Sequence, residues 1–172
     1  MPRRAFSLVE VAMVLLVLAL VAGAVTLRVR PILLRMDMRA CLDEAAEFDR
    51  MSRAIAREHG RPVLLVFDLA EGRVRRTGED GRERLGEPLD LPPGRRLAEV
   101  RLAGRPVRSG CASVSISAAG LGPTYALAIE GRDGTDRRWL LMAGLTGQVV
   151  EAADGKEVDD AFAAIKARND AR

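Results

Sequence analysis

Histidine is nearly absent from this sequence of 172 residues: His59 is the single example, and there are two cysteines. The sequence also lacks a glycine-rich phosphate loop, a Cys/His metal spacing and a nucleophile elbow. These patterns supply most of the chemistry by which enzymes and metal sites are recognised in a sequence. We therefore predict no enzymatic activity, no catalytic residue, no metal site and no cofactor.

A large excess of charge of one sign is also absent. Lys and Arg number 27 against 24 Asp and Glu, a formal net charge of +3. Without Arg3 and Arg4 the side-chain balance falls to +1, which is 25 basic against 24 acidic groups. A protein that binds nucleic acid over its whole surface carries a stronger positive charge than this. The arginines alternate with acids, which is typical of a solvated surface.

The two cysteines, Cys41 and Cys111, leave two alternatives open. In an exported domain such a pair can form a disulfide. Free cysteines also pack as small hydrophobic residues in protein interiors. The sequence does not fix the distance between the two residues, so it does not choose between a bridge and two free thiols.

One long apolar run is present near the start of the chain. Residues Phe6 to Leu27 contain one charged side chain, Glu10. The run has about the 20 residues that a helix needs to cross the hydrocarbon of a bilayer. A carboxylate costs several kcal/mol in that environment unless it is paired, so Glu10 is a candidate functional residue.

Two ordinary export signals compete for this segment. Ala22-Gly23-Ala24 matches the cleavage pattern of a secretory signal peptide. The hydrophobic region of such a signal peptide gives no role to an acid such as Glu10. The start Arg3-Arg4-Ala5-Phe6 is similar to a twin-arginine signal, although that motif usually follows a longer polar start and precedes a less hydrophobic core.

The residues Arg3-Arg4-Ala5-Phe6-Ser7-Leu8-Val9-Glu10 resemble the class III signal of type IV prepilins and type II secretion pseudopilins. The resemblance implies that a membrane peptidase cuts between Ala5 and Phe6 and methylates the new amino terminus at Phe6. Glu10 then takes the fifth position of the mature chain, where the family has its acid. Ala5 stands where the family usually has glycine.

In that family the subunits lie side by side in the bilayer before they stack into a filament. The resemblance therefore implies a partner for Glu10, the amino terminus of a neighbouring subunit. In a low-dielectric environment this pair attracts strongly, and each group alone is penalised. We expect Glu10 to set the register between neighbouring subunits.

An amphipathic helix follows the apolar run. Apolar or small residues recur at steps of three or four and form one stripe, consisting of Leu34, Met38, Leu42, Ala45, Phe48, Ser52 and Ile55. Charged residues are expected off the stripe, where Glu47 can pair with Arg50 or Arg53 at the surface. Gly60 and Pro62 are a stop signal for the helix.

Short β-strand patterns fill the next part of the chain. They lie at Val63–Phe67, Val74, Leu97–Leu102, Ser113–Ser117, Tyr125–Ile129, Trp139–Met142 and Val149–Val150, with an exposed loop over Gly78–Pro93. Strands joined by glycine turns predict an antiparallel sheet. The strands from Gly120 to Val150 are similar to the C-terminal half of the H-type minor pseudopilins, the GspH/FimT-like group. The predicted fold is α+β and pilin-like, with a long N-terminal helix packed on antiparallel β-sheet.

These patterns divide the chain into five parts: a prepilin leader (1–5), a transmembrane half-helix (6–28), an amphipathic half-helix (29–60), a periplasmic β domain (61–151) and a short C-terminal helix with a tail (152–172). In the last part, Asp154 and Glu157 resemble a capping box. Val158, Phe162 and Ile165 form a short apolar face, which either docks on the domain or contacts another subunit.

The predicted function is that of a minor pseudopilin in a type II secretion pseudopilus, supporting protein export across the outer membrane. The resemblance implies a single pass through the inner membrane, with a cytoplasmic N-terminus and a periplasmic C-terminal domain. Its implied partners are other pilins or pseudopilins, the prepilin peptidase, the inner-membrane assembly platform and the lipid bilayer.

The alternative is a minor type IV pilin for pilus assembly or DNA uptake. Such a binding module needs an exposed arginine cluster and a salt-dependent affinity for DNA. The candidate contacts are Arg95, Arg96, Arg105 and Arg108, with Arg101 beside them, or the group Arg73, Arg75 and Arg76. Nearby acids, among them Glu79, Glu83 and Glu99, partly cancel these charges.

Overall fold

A computed structural model of the chain describes residues 8–131, 133–134 and 136–170. Within this range the side chains of residues 8–11, 19, 21–37 and 169–170 are outside the description. The chain divides into two compact units, Met1–Ala40 and Cys41–Arg172.

In the described residues, a long helix is followed by nine strands and a terminal helix. They are α1 (Leu8–His59), β1 (Val63–Asp68), β2 (Arg73–Gly78), β3 (Leu89–Asp90), β4 (Arg95–Leu102), β5 (Arg105–Val107), β6 (Cys111–Ile116), β7 (Tyr125–Gly131), β8 (Arg138–Met142), β9 (Val149–Ala152) and α2 (Gly155–Asp170). The α+β class predicted from the sequence is confirmed.

Helix α1 is 52 residues long and ends at the predicted place. Gly60 follows His59 with φ of 62°, a left-handed conformation that glycine adopts without a steric penalty. No helix in the described part of the chain has both the length and the apolar character that crossing a membrane requires.

The strands of the second unit form two antiparallel sheets. The first has the order β3-β2-β1-β6 and the second has the order β5-β4-β7-β8-β9. In β1 the residues alternate between buried and half-buried, with Val63, Leu65 and Phe67 on the buried face. Every residue of β7 is buried, so both faces of the second sheet are covered at this strand.

The core of the second unit joins the amphipathic end of α1 to the sheets. Leu42, Ala45 and Phe48 of the predicted stripe are buried. The ring of Phe67 in β1 lies 5.6 Å from that of Tyr125 in β7, so the two sheets meet around this aromatic pair. Aromatic pairs at this spacing add to the stabilisation that burial of their area provides.

Helix α2 docks on the second sheet through its apolar face. Val158 is fully buried in a cluster with Ala126, Ala128, Trp139 and Ala152, and Phe162 packs against the cluster. The predicted capping is present, because the Asp154 carboxylate accepts the N–H groups of Lys156 and Glu157 at 2.9 Å. Of the two alternatives for this segment, docking on the domain is the one observed.

Two strands were not predicted. Strand β3 has two residues and lies inside the segment Gly78–Pro93, which was expected to be loop throughout. Strand β5 has three residues, Arg105-Pro106-Val107, at the edge of the second sheet. Proline is tolerated at such an edge because its missing N–H is not needed there, but it weakens the strand signal in a sequence.

The cysteines are both free. Cys41 is buried on α1, while Cys111 is exposed on the outer face of β6, where residues alternate between exposed and buried. The possible Cys41–Cys111 disulfide is therefore not formed in this structure, because β6 turns its first side chain away from the core that holds Cys41.

Candidate functional site

A buried polar network links α1 to the sheets of the second unit. The guanidinium Nε of Arg53 donates to Asp49 Oδ2 at 2.7 Å, one turn earlier on the helix. The hydroxyl of Tyr125 in β7 donates to the other oxygen of Asp49, also at 2.7 Å. All three side chains are almost completely buried. Of the two surface partners predicted for Glu47, Arg50 is the one observed, at 3.3 Å, whereas Arg53 is buried.

Arg53 also holds two turns of the β region. Its Nη1 donates to the carbonyl oxygens of Gly120, at 3.1 Å, and Gly144, at 2.8 Å. A Cβ at position 144 would lie 2.1 Å from the carbonyl oxygen of Gly122, so only glycine allows this close approach. Burial and the Asp49 carboxylate together raise the pKa of Tyr125 well above its usual value. The network fixes the helix on the β region and leaves no reactive group.

A second cluster surrounds the carboxylate of Glu99 on the outer face of the second sheet. Glu99 is fully buried and accepts hydrogen bonds from Arg101 at 2.6 Å and from Arg108 and Arg137 at 2.9 Å. Burial by itself would raise the pKa of Glu99, but the three arginines outweigh it, so the pKa is lowered.

Arg101 links this cluster to helix α2. It donates to the carbonyl oxygen of Gly155 at 2.9 Å and pairs with Asp159. Its guanidinium carbon also lies 4.3 Å from the centre of the Trp139 ring, a cation–π contact. A Cβ at position 155 would lie 2.9 Å from Arg101 Nη2, so glycine at the start of α2 gives the guanidinium its space.

The arginines proposed for DNA contact do not form one cluster. Arg105 in β5 pairs with Leu102 at the far end of β4 from Arg95. Leu102 is seven positions after Arg95 in β4, which is about 23 Å at the usual rise per residue. Three of the four are engaged by carboxylates: Arg95 by Asp136, Arg96 by Glu130 and Arg108 by Glu99.

The residues of the predicted leader and pairing site are only partly described. Ala5 and Phe6 lie outside the described residues. Glu10 belongs to α1, but its side chain is outside the description. Further along α1, the described side chains between Ala12 and Leu20 are apolar and exposed. No group of acidic, histidine or cysteine side chains in the described residues is arranged to hold a metal ion.

The polar residues Asp49, Arg53 and Glu99 were not identified as structural sites from the sequence. For the first two a signal existed, since an acid and an arginine four residues apart flank the apolar stripe. Glu99 gave no such signal, because its position depends on a bulge. The register of β4 against β7 shifts between Leu97 and Glu99, so Ala98 is the extra residue.

The architecture defines the class of the protein. A long N-terminal helix, whose second half packs on two antiparallel sheets, is the pilin-like α+β fold that the sequence predicted. The network of Asp49, Arg53 and Tyr125 supplies the polar part of this packing.

Solved structures share this fold. Two structures of the minor pseudopilin EpsH from the type II secretion system of Vibrio cholerae align with TM-scores of 0.52 and 0.53 at 14% and 12% identity. The alignments cover 68% and 69% of this chain and 97% of each solved EpsH chain. The type IV minor pilin FimU of Pseudomonas aeruginosa aligns with a TM-score of 0.49 at 15% identity, over 69% of this chain and 90% of FimU.

At these identities the likeness establishes the fold alone, which is that of a minor pseudopilin. EpsH is a minor pseudopilin of the type II secretion system. No protein-family model and no curated protein sequence matches the chain.

Proposed function

We propose that the chain is a minor pseudopilin that assembles into a type II secretion pseudopilus and supports protein export across the outer membrane. The observation that carries this proposal is the alignment with EpsH, which covers 97% of that protein. Almost the whole of the solved EpsH chain therefore has a counterpart in this chain. Its partners are other pilins or pseudopilins and the inner-membrane assembly platform.

The exposed apolar surface of α1 supports assembly through the N-terminal helix. Seven consecutive residues, 12–18, are exposed, with Met13 at 70% and Leu16 at 61%. Seven residues cover nearly two turns, so this segment is apolar on every side of the helix. Helices that are apolar all round are covered by lipid or by other helices. We place Phe6–Leu27 in the inner membrane, with the N-terminus cytoplasmic and the β domain periplasmic.

The leader motif adds processing to this proposal. A prepilin peptidase cuts between Ala5 and Phe6 and methylates Phe6. The new amino terminus of one subunit then pairs with Glu10 of its neighbour. Removing both charges from water is costly, so an unpaired Glu10 disfavours any misaligned arrangement.

A mass measurement of the mature chain tests the processing step. The full chain is produced in cells that contain a prepilin peptidase, and we expect a product that begins at methylated Phe6. The variant Ala5→Gly serves as a control, because it restores the usual residue of the motif and should give the same product. A chain that begins at Val25 would show an ordinary signal peptide and overturn the proposal.

Two variants of Glu10 test the pairing. Both Glu10→Leu and Glu10→Gln should insert into the membrane, since each removes a charge from hydrocarbon. Both should reduce incorporation next to a neighbouring subunit, measured by cross-linking in cells. If Glu10→Gln incorporates as well as the unchanged chain, the carboxylate charge is not what pairs the subunits.

The alternative of a minor pilin that binds DNA has weaker support. Arg95, Arg96 and Arg108 are already paired with carboxylates, and pairing reduces the positive potential that attracts phosphates. A mobility-shift assay at low salt separates the two functions, because a pseudopilin without a DNA role gives no shift.

A further inference from the structure

One arginine of the second unit is buried without a counter-charge. The side chain of Arg76 in β2 lies under the sheet, with 7% of the residue exposed. Its guanidinium carbon is 3.9 Å from the centre of the Phe48 ring, but its Nε has no hydrogen-bond partner. Among the described residues no acidic side chain pairs with it. Burial lowers the pKa of Arg76, which is the sign of a charged group held in an unfavourable place.

Other arginines gather around the same point. A small pocket of about 50 Å³ is lined by Arg73, Arg75, Arg76 and Arg84, together with Gly86 and Pro88. The pocket lies where the loop after β2 returns to the strand, since Leu85 donates its N–H to the carbonyl oxygen of Arg76 at 3.0 Å. The Nε of Arg75 is also buried and without a hydrogen-bond partner. Arg75 and Arg76 therefore each keep one unpartnered Nε, although these consecutive strand residues project to opposite faces of the sheet.

The charges at this pocket do not balance. Arg73 pairs with Asp90 and Glu71, and Arg75 lies 3.7 Å from Asp68. Arg84 is exposed and needs no partner, but Arg76 is buried and forms no ion pair with any described residue. Buried charges in proteins are almost always paired, because an isolated one costs several kcal/mol. A missing anion at this pocket accounts for the imbalance.

We propose that the pocket binds the carboxylate of an aspartate or glutamate side chain presented by another protein subunit. A guanidinium offers two parallel N–H groups, which match the two oxygens of a carboxylate. The volume of the pocket, about 50 Å³, suits one such group.

The acids around the pocket favour a single carboxylate over DNA. Glu71, Asp68 and Asp90 lie beside Arg73 and Arg75. The successive phosphates of a nucleic acid would be repelled by these carboxylates. A single carboxylate side chain can contact the arginines without approaching the acids. The identity of the partner as a filament subunit rests on the proposed function, but the anion site does not.

The test uses the purified full chain in detergent, with acetate as the probe for a carboxylate. Thermal unfolding is followed by the fluorescence of Trp139 in acetate and in chloride at equal ionic strength. We expect acetate to raise the midpoint of unfolding by binding to the folded chain. In Arg76→Met and Arg84→Gln the apparent affinity for acetate should fall about tenfold or more, the equivalent of one charged hydrogen bond. Arg82→Gln, an exposed arginine of the same loop, should leave it unchanged.

The midpoint in chloride supplies a second readout. Methionine keeps the contact with Phe48 and removes the uncompensated charge, so Arg76→Met should raise the midpoint. A lowered midpoint, or an equal response to acetate in all variants, would overturn the proposal. A response to inorganic phosphate without one to acetate, or binding of duplex DNA that Arg76→Met abolishes, would also overturn it in favour of a phosphate site. These measurements use purified protein, so they are independent of the leader and filament tests.

Discussion

Neutralising Asp49 tests what holds the amphipathic end of α1 on the β region. Asp49 and Arg53 are 1% and 4% exposed, and their atoms are 2.7 Å apart. Asp49→Asn keeps the shape of the side chain and an acceptor for the Tyr125 hydroxyl, but it leaves the Arg53 charge buried and uncompensated. Breaking a buried ion pair in this way costs about 3–5 kcal/mol. A domain is stable by about 5–15 kcal/mol, so the loss is a large part of the total.

Urea unfolding of the full chain in detergent measures this cost. Trp139 is the one tryptophan of the chain and is 2% exposed in the second unit, so its fluorescence reports on the part that contains the network. The control is Glu47→Gln, which breaks the exposed pair with Arg50 on the same helix. An exposed pair contributes about 0–1 kcal/mol, so the control should be close to neutral. Equal losses in the two variants would refute the role of the buried pair.

A double variant separates the charge from the hydrogen bonds. Asp49→Leu with Arg53→Met replaces the pair by apolar side chains, a change that is often neutral for the pair itself. Here the carbonyl oxygens of Gly120 and Gly144 also lose their donor, and each unsatisfied group costs about 1–3 kcal/mol. We therefore expect the double variant to be less stable than the unchanged chain, but more stable than the sum of its single changes predicts.

Three further predictions concern the second unit. Burial, with a contribution from Glu44, raises the pKa of Cys41 to about 11, so at pH 8 a maleimide should label Cys111 quickly and Cys41 slowly, and a chain with no reactive thiol would indicate a disulfide after all. The lowered pKa of Glu99 contributes stability above the ordinary value of 4.5, which is lost as the pH falls through the folded value. In Glu99→Gln the midpoint of unfolding should therefore fall less steeply as the pH is lowered. An unchanged dependence on pH would contradict the lowered pKa of Glu99. Asp154→Ala removes both caps of α2 and should cost about 1 kcal/mol in urea unfolding, whereas a loss near zero would show that docking alone holds the helix.

The sequence predicted those elements whose pattern is local. Ser113–Ser117 alternates in the sequence, and the buried residues of β6 are the predicted apolar ones, Val114 and Ile116, with Ala112 before them. The end of α1 follows from Gly60, and the start of α2 follows from Asp154. In each case a few neighbouring residues determine the structure, so no distant contact is needed to predict it.

The parts that were missed depend on distant contacts. Arg53 is buried because Gly120 and Gly144, 67 and 91 residues further along, present their carbonyl oxygens to it. The bulge at Ala98 lets Leu97 and Val100 both face the core. Strict alternation would put Glu99 on the side of Leu97, whereas the extra residue turns it to the outer face, where three arginines reach it. Neither the burial of Arg53 nor the bulge at Ala98 can be recognised from the residues that are adjacent in the sequence.

Arg53 and Arg76 show that equal burial does not imply equal contributions to stability. Both are at least nine-tenths buried where α1 packs on the β region, Arg53 on the helix itself and Arg76 in β2. Arg53 has a carboxylate and two carbonyl oxygens within its own domain, while Arg76 has an aromatic ring and no acid among the described residues. The same change to methionine should therefore act in opposite directions. Arg53→Met should lower the midpoint of unfolding because it leaves the buried Asp49 carboxylate without a counter-charge, and Arg76→Met should raise it because it removes an uncompensated charge. If both variants lose stability alike, Arg76 is part of the packing of α1 on β2, and the pocket beside it needs no partner from outside the chain.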